Sequence, residues 1–157
     1  MPNPTNEELN VATWKIPNAL GIIGSSANNE FNGMTASWIT QVSMEPLLIA
    51  VGIDNKSITH GLMSASEYFS LNLFSENYTK VFVKFSKPAE YKEGFLNEEP
   101  ITLTENNMPI FDNAIVWFEM RKKRHMILEP TPFILVKLQI VGLLKQKKGL
   151  HIWETQE

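Results

Sequence analysis

Two short stretches hold the residues whose types and spacing could do chemistry. The first runs Asn32-Gly-Met-Thr-Ala-Ser-Trp38-Ile-Thr-Gln-Val-Ser43-Met-Glu-Pro46-Leu47. Small residues at Ala36 and Ser37 let backbone N–H groups approach a ligand, and Thr35, Ser37 and Ser43 add hydroxyls. That combination suits a flat apolar ring with hydrogen-bonding groups along one edge. The second is Asn55-Lys56-Ser57-Ile58-Thr59. A hydroxyl cap, a cation and the first N–H groups of a helix are what a phosphate needs.

The elements around these stretches follow from periodicity. Residues 1 to 10 are a Pro- and Asn-rich lead-in, expected to be loose, and Thr13 to Ser25 reads as a first strand. Asn32-Gly33 closes a turn-rich stretch and predicts a turn there. Met34 to Ser43 alternates, with Met34, Ala36, Trp38, Thr40 and Val42 on one face and Thr35, Ser37, Ile39, Gln41 and Ser43 on the other. Leu47 to Ile53 is a continuous apolar run, a strand buried on both faces. Asp54-Asn55-Lys56 makes a turn, Ser57 caps a helix, and Ile58, Leu62 and Ala65 form its apolar stripe. Tyr68 to Phe74 is a further strand. Asn77 caps a second helix, with Tyr78, Val81, Phe82 and Phe85 inward, stopped by Lys87-Pro88. Ala89 to Asn113 is polar with two prolines and is expected to be mainly loop; Ala114 to Met120 and Phe133 to Leu144 are two more strands. The fold class is mainly β with a few short helices, and closure into a barrel would protect the sheet edges.

Composition narrows the function classes. The 157 residues suffice for a single domain, 1–157; 43% are hydrophobic and 20% charged. The net charge of −3 disfavours non-specific nucleic-acid binding. With no cysteine there is no disulfide, thiolate or cysteine-metal chemistry, and a cytoplasmic setting is expected. The N-terminus lacks the pattern of a signal peptide and no apolar run is long enough for a membrane helix. His60, His125 and His151 lack metal-ligand spacing, so no metal is expected.

At this point the sequence resembles the flavin-reductase-like, FMN-binding split-barrel family. The resemblance lies in Asn32 to Trp38, Ser43-Met-Glu-Pro46, the buried strand, Asn55 to Thr59, Glu67-Tyr-Phe-Ser-Leu-Asn-Leu73 and the helix from Tyr78 to Ser86. It covers Gly21 to Lys87 well and the C-terminal half in outline. It implies a split β-barrel of six or seven strands, Greek-key in type, with two or three outer helices. It implies a homodimer, bound FMN, and hydride transfer from NADH or NADPH to the flavin, with no catalytic side chain. Carried over, Thr35, Ala36, Ser37 and Trp38 line the ring, Ser43 lies near it, Lys56, Ser57 and Thr59 hold the phosphate, and Asn72 sits close by. One departure stands out. Reductase members carry Gly-Asp-His before the last long strand, where this chain has Leu128-Glu-Pro-Thr-Pro-Phe133. An FMN-containing electron carrier with a protein redox partner, similar to flavoredoxin, is therefore the alternative. A non-catalytic barrel that binds another ligand or partner is the second.

Bland readings stand beside these. The hydroxyls of Thr35, Ser37 and Ser43 are also what the wet face of an edge strand carries. Lys56 to Thr59 also reads as a capped helix start, and Asn72 as a satisfied half-buried amide. Arg121-Lys-Lys-Arg-His125 is expected to be a solvated strand end or hairpin tip, or else to attract the 2′-phosphate of NADPH. Lys145, Lys147 and Lys148 are read as solubilising, and His60 as facing solvent. The pair Glu98-Glu99 has no obvious partner.

Overall fold

A computed structural model describes residues 3–128 and 133–140, with side chains described as far as residue 122. It is mainly β. A seven-stranded antiparallel sheet has the order β2-β1-β5-β10-β11-β4-β3, from β1 (Gly21–Ala27), β2 (Glu30–Ala36), β3 (Ile39–Met44), β4 (Leu47–Asp54), β5 (Tyr68–Leu73), β10 (Val116–Leu128) and β11 (Phe133–Ile140). A second sheet has the order β6-β7-β8-β9, from Tyr91–Lys92, Phe95–Leu96, Glu99–Leu103 and Pro109–Phe111. Three helices complete the fold: α1 (Asn6–Thr13), α2 (Ile58–Ala65) and α3 (Lys80–Lys84).

The strand order forces the large sheet to curl. β2 and β3 are its two opposite edges, yet only Ser37 and Trp38 separate them in sequence. Six strand spacings laid flat span about 29 Å, whereas three Cα steps reach at most about 11 Å. The sheet must roll until its edges nearly meet, and the Ser37–Trp38 link crosses the seam. The rolled sheet encloses one core, with Ile23, Ile49, Val51, Ile53, Phe69, Leu71 and Met120 all buried.

The second core lies on the outer face. Ile22, Val81, Phe85, Leu96, Ile101 and Phe111 join β1, α3 and the small sheet. Two glycines allow this contact. A Cβ on Gly24 would come within 2.6 Å of the Pro109 carbonyl oxygen, and one on Gly33 within 2.8 Å of the Phe85 ring. Gly24 and Gly33 are paired across β1 and β2, so together they make a flat patch on which the small sheet and α3 sit.

Several expectations need correction. The β1–β2 turn is at Asn28-Asn29, both with positive φ (52° and 64°), the type I′ hairpin geometry. Asn32-Gly33 lies inside β2, because packing against α3, rather than turn geometry, requires that glycine. Met34 to Ser43 is two strands, broken at Ser37–Trp38 by the seam. The first strand starts at Gly21 rather than Thr13. Upstream of it, Thr5 and Glu8 make a reciprocal capping box that starts α1 within the expected lead-in. In α2 the buried residues are Thr59, Leu62 and Met63; Ile58 and Ala65 are exposed. Residues 89–113 carry the small sheet, whose short strands are joined by hairpins with positive φ at Glu93, Gly94, Asn97 and Glu98. Arg121 and Lys122 are mid-strand in β10 rather than at a strand end. Arg121 pairs with Glu67 at 3.1 Å, and the Lys122 ammonium donates to the carbonyl oxygens of Met63 (2.6 Å) and Ser64 (3.4 Å) at the C-terminal end of α2. The side chains of Lys123, Arg124 and His125 lie outside the described residues, as do Glu129 to Pro132, Leu144, Lys145, Lys147, Lys148 and His151.

Candidate functional site

The seam brings the first motif to the surface. Ala36 is buried and ends β2, Ser37 is exposed, and Trp38 is 49% exposed. The Trp38 carbonyl accepts a 2.8 Å hydrogen bond from the Gly52 N–H, and its indole lies against Gly52, where a Cβ would meet ring carbon Cε3 at 2.9 Å. The missing side chain at Gly52 therefore sets how the indole lies. Thr35 is held from the other side. Its N–H donates to the Phe85 carbonyl (3.0 Å) and its hydroxyl to the Phe82 carbonyl (2.7 Å), both on the α3 segment. The hydroxyl oxygen keeps its lone pairs for a ligand.

The second motif stands close to the first. β4 passes under Trp38 at Gly52 and ends at Asp54, and Ser57 caps α2. The five residue steps from Gly52 to Ser57 can span at most about 17 Å, so the indole and the helix N-terminus lie within the reach of one mononucleotide. The turn is tightly bonded. The Lys56 N–H donates to Asp54 Oδ1 (2.8 Å), the Ser57 hydroxyl donates to the Asp54 carbonyl (2.7 Å), and Ser57 Oγ accepts from the His60 N–H (3.1 Å). The Ile58 and Thr59 amides are the other donors of this first turn. The Lys56 side chain is exposed. Asn55 Oδ1 is buried with no hydrogen-bond partner, an orphaned acceptor beside Lys56. These donors and the nearby apolar indole fit a phosphate-bearing ring compound.

The other named residues are placed differently. Thr59 is fully buried, and its Oγ1 accepts from Asn32 Nδ2 at 2.8 Å. Asn72 is fully buried too. Its amide donates to the Ile22 carbonyl (3.3 Å) and Ser70 Oγ (3.0 Å), and its Oδ1 accepts from the Phe111 N–H (3.1 Å). Ser43 pairs with Leu48 across a bulge, at the far end of β4. Six residue steps along the strand, about 20 Å, separate Leu48 from Asp54. The structure thus groups Thr35 to Trp38 with Lys56 and Ser57, sets Thr59 beneath them, and leaves Ser43 and Asn72 apart. His60 is half-buried, with Nε2 3.3 Å from Ser64 Oγ.

Two residues escaped the sequence reading. Asn32, half of the expected turn, is buried and joins three elements, because its Oδ1 accepts from the Ala89 N–H (2.8 Å) while its Nδ2 serves Thr59 on α2. Glu99 is 6% exposed and has partners after all. It meets the Lys84 ammonium at 2.7 Å and accepts from the Tyr78 hydroxyl at 2.6 Å. Burial alone would raise its pKa, but the bonds from Lys84 and Tyr78 outweigh that and hold the carboxyl below its ordinary range. The same bond to Glu99 raises the pKa of Lys84 and that of Tyr78. At Lys122, burial pushes the ammonium down and Glu67 offsets part of this. Among the described residues no group of three or more His, Cys, Asp or Glu is placed to hold a metal ion, and no helix is long and apolar enough to cross a membrane.

Known proteins share this architecture. The FMN-binding protein of Thermus thermophilus superposes with a TM-score of 0.75 at 20% identity, covering 95% of this chain and 78% of that one. An NADH:FAD oxidoreductase of Streptomyces globisporus superposes with a TM-score of 0.77 at 16% identity, covering 94% and 87%. In sequence, the stachydrine N-demethylase reductase subunit of Rhizobium meliloti is 32% identical over 87 residues, 55% of this chain and 36% of that protein. The chain therefore spans about a third of that relative's length. The NADPH-flavin oxidoreductase of Streptomyces viridifaciens is 25% identical over 117 residues, 73% of this chain and 60% of the other. The model of the flavin reductase like domain matches residues 13–148, most of the chain, and the protein belongs to that family.

Proposed function

We propose that the protein is an FMN-binding NAD(P)H:flavin oxidoreductase, working as a homodimer in the cytoplasm. The observation that carries this reading is the juxtaposition of the exposed Ser37–Trp38 seam with the capped, lysine-bearing N-terminus of α2. The flavin ring lies along Thr35 to Trp38. The phosphate is held by the Lys56 ammonium and the Ile58 and Thr59 amides of α2, which the Ser57 cap fixes in place. Thr59 and Asn32 act from beneath by fixing that helix, and Asn72 fixes the sheet behind Thr35 through Ile22, which it faces.

When bound, FMN supplies the hydride-accepting chemistry. The chain's own part is to bind, orient and exclude water. With the Thr35 N–H held by the Phe85 carbonyl, the backbone N–H groups after it, toward Trp38, stabilise negative charge at the ring edge, and the Thr35 hydroxyl is aimed by its bond to Phe82. Support for the homodimer comes from the edge strand β3, where Val42 and Met44 are exposed beside Trp38 and Leu47. An edge strand that pairs only with β4 among the described residues, and carries exposed apolar side chains, invites a second chain.

One observation favours a second reading, an electron carrier with a protein redox partner: Glu129 to Pro132 replaces the reductases' Gly-Asp-His. Anaerobic titration of the FMN-loaded protein with NADH and then NADPH separates the two. Bleaching of the flavin band by either nucleotide is expected. A bound flavin that stays oxidised with both would overturn the reductase reading and leave the carrier.

A further inference from the structure

The buried carboxylate of Glu99 has no part in the reading above, yet it is linked to the ring site. The α3 segment stands between them. α3 has five residues, too few to hold a helix by itself. On one side the small sheet grips it. Glu99 takes the Lys84 ammonium (2.7 Å) and the hydroxyl of Tyr78 (2.6 Å), Asn113 Nδ2 donates to the same Tyr78 oxygen (3.0 Å), and Asn97 Nδ2 donates to the Lys84 carbonyl (2.9 Å). On its other side the segment offers the carbonyls of Phe82 and Phe85, and Thr35 bonds to both. The Phe85 ring also seats on Gly33, two residues before Thr35.

A buried ion pair is weak evidence for stability and better attested as a device for fixing geometry. We propose that Glu99 is a positioning residue for the flavin ring, acting through α3 on Thr35. The proposal rests on the flavin reading above and extends it to a residue remote from the ligand. It separates two holds on the flavin. The Glu99 latch governs the ring, and α2 governs the phosphate.

The test uses the full chain with FMN and riboflavin, affinities being read from quenching of flavin fluorescence well below the unfolding midpoint. Glu99→Gln keeps the side chain's size and removes the nearer and buried charge that holds Lys84 (2.7 Å), leaving only the exposed Glu98 at 3.7 Å. It is expected to weaken both flavins about tenfold, with the FMN-to-riboflavin ratio unchanged. Thr35→Val cuts the other end of the same link. If Glu99 acts through Thr35, the double variant binds flavin within about twofold of Thr35→Val alone. A purely structural Glu99 would lower the melting temperature and leave both affinities alone, which overturns the proposal, as do effects that multiply in the double variant. Should Glu99→Gln fail to fold, Tyr78→Phe removes one latch bond while keeping the ring stacked on Phe74. A loss of about threefold for both flavins is then expected, and unchanged affinity would overturn the proposal. Wild-type protein that binds neither flavin overturns the functional reading itself, whereas wild-type binding with unaffected variants overturns only the role of Glu99.

Discussion

The two sides of the rolled sheet differ in how far their polar side chains are exposed. On the side of α3 and the small sheet, Ser70, Asn72, Tyr78, Lys84, Asn97 and Glu99 bond within the protein, and the backbones approach closely over Gly24 and Gly33. On the side of the seam and α2, Ser37 and Lys56 are exposed and Trp38 is half-exposed. Buried, bonded polar groups lock a geometry, whereas exposed ones are what a ligand can use. The first side therefore reads as scaffold and the second carries the proposed site, and Thr35 joins them.

Substitutions should divide along the same line. The largest loss of stability is expected for Gly24→Ala, about 3 kcal/mol, because the added Cβ meets backbone at Pro109 that cannot swing aside. Urea unfolding measures it, and a loss below about 1 kcal/mol would mean that the two layers slide past each other freely. Asn32→Ala should cost about 2 kcal/mol by leaving Thr59 and the Ala89 amide unpaired, and it should also weaken FMN, since α2 loses a tether. Ser57→Ala removes a helix cap for about 1 kcal/mol, with FMN weakened more than riboflavin. Trp38→Ala should have the smallest effect on stability, about 1 kcal/mol or less, while weakening both flavins strongly in fluorescence titration. Trp38→Ala protein that binds flavin normally would erase the distinction between the two sides.

The latch also sets a pH window. The Glu99 carboxyl is depressed in the fold, so its contribution is present above the unfolded carboxylate pKa, about 4.3, and is lost as pH falls through the lower folded value. Lys84 and Tyr78 are raised, so theirs is present below their unfolded values, about 10, and is lost as pH rises through the folded ones. The urea midpoint should vary little through neutral pH and fall on acidification, less steeply in Glu99→Gln. An equal acid limb in both proteins would remove Glu99 as its source.

Local signals in the sequence carried the elements that stand on their own periodicity. β4, α2 with its Ser57 cap, β5 and the apolar side of α3 were legible because apolar runs, alternation and caps act within a few residues, although the buried face of α2 turned out to be Thr59, Leu62 and Met63. What escaped depends on distant contacts. Gly33 reads as a turn residue until Phe85 is seen to lie on it. Glu99 reads as a loop carboxylate because its partners are 15 and 21 residues away. The small sheet escaped because strands of two to five residues hold too few side chains to show a period. The site was legible as two motifs. Only the strand order, with β2 and β3 at opposite edges, brings out the seam and gives the motifs a common surface, and it separates Ser43 from them.

The central claim is that one flavin spans the seam and the N-terminus of α2. The most direct test compares FMN and riboflavin binding to the wild type and to Lys56→Ala, whose side chain is exposed. The wild type should prefer FMN, and Lys56→Ala should lose about tenfold in FMN affinity while holding riboflavin as before. Equal weakening of both flavins, or no preference in the wild type, would contradict a phosphate at α2.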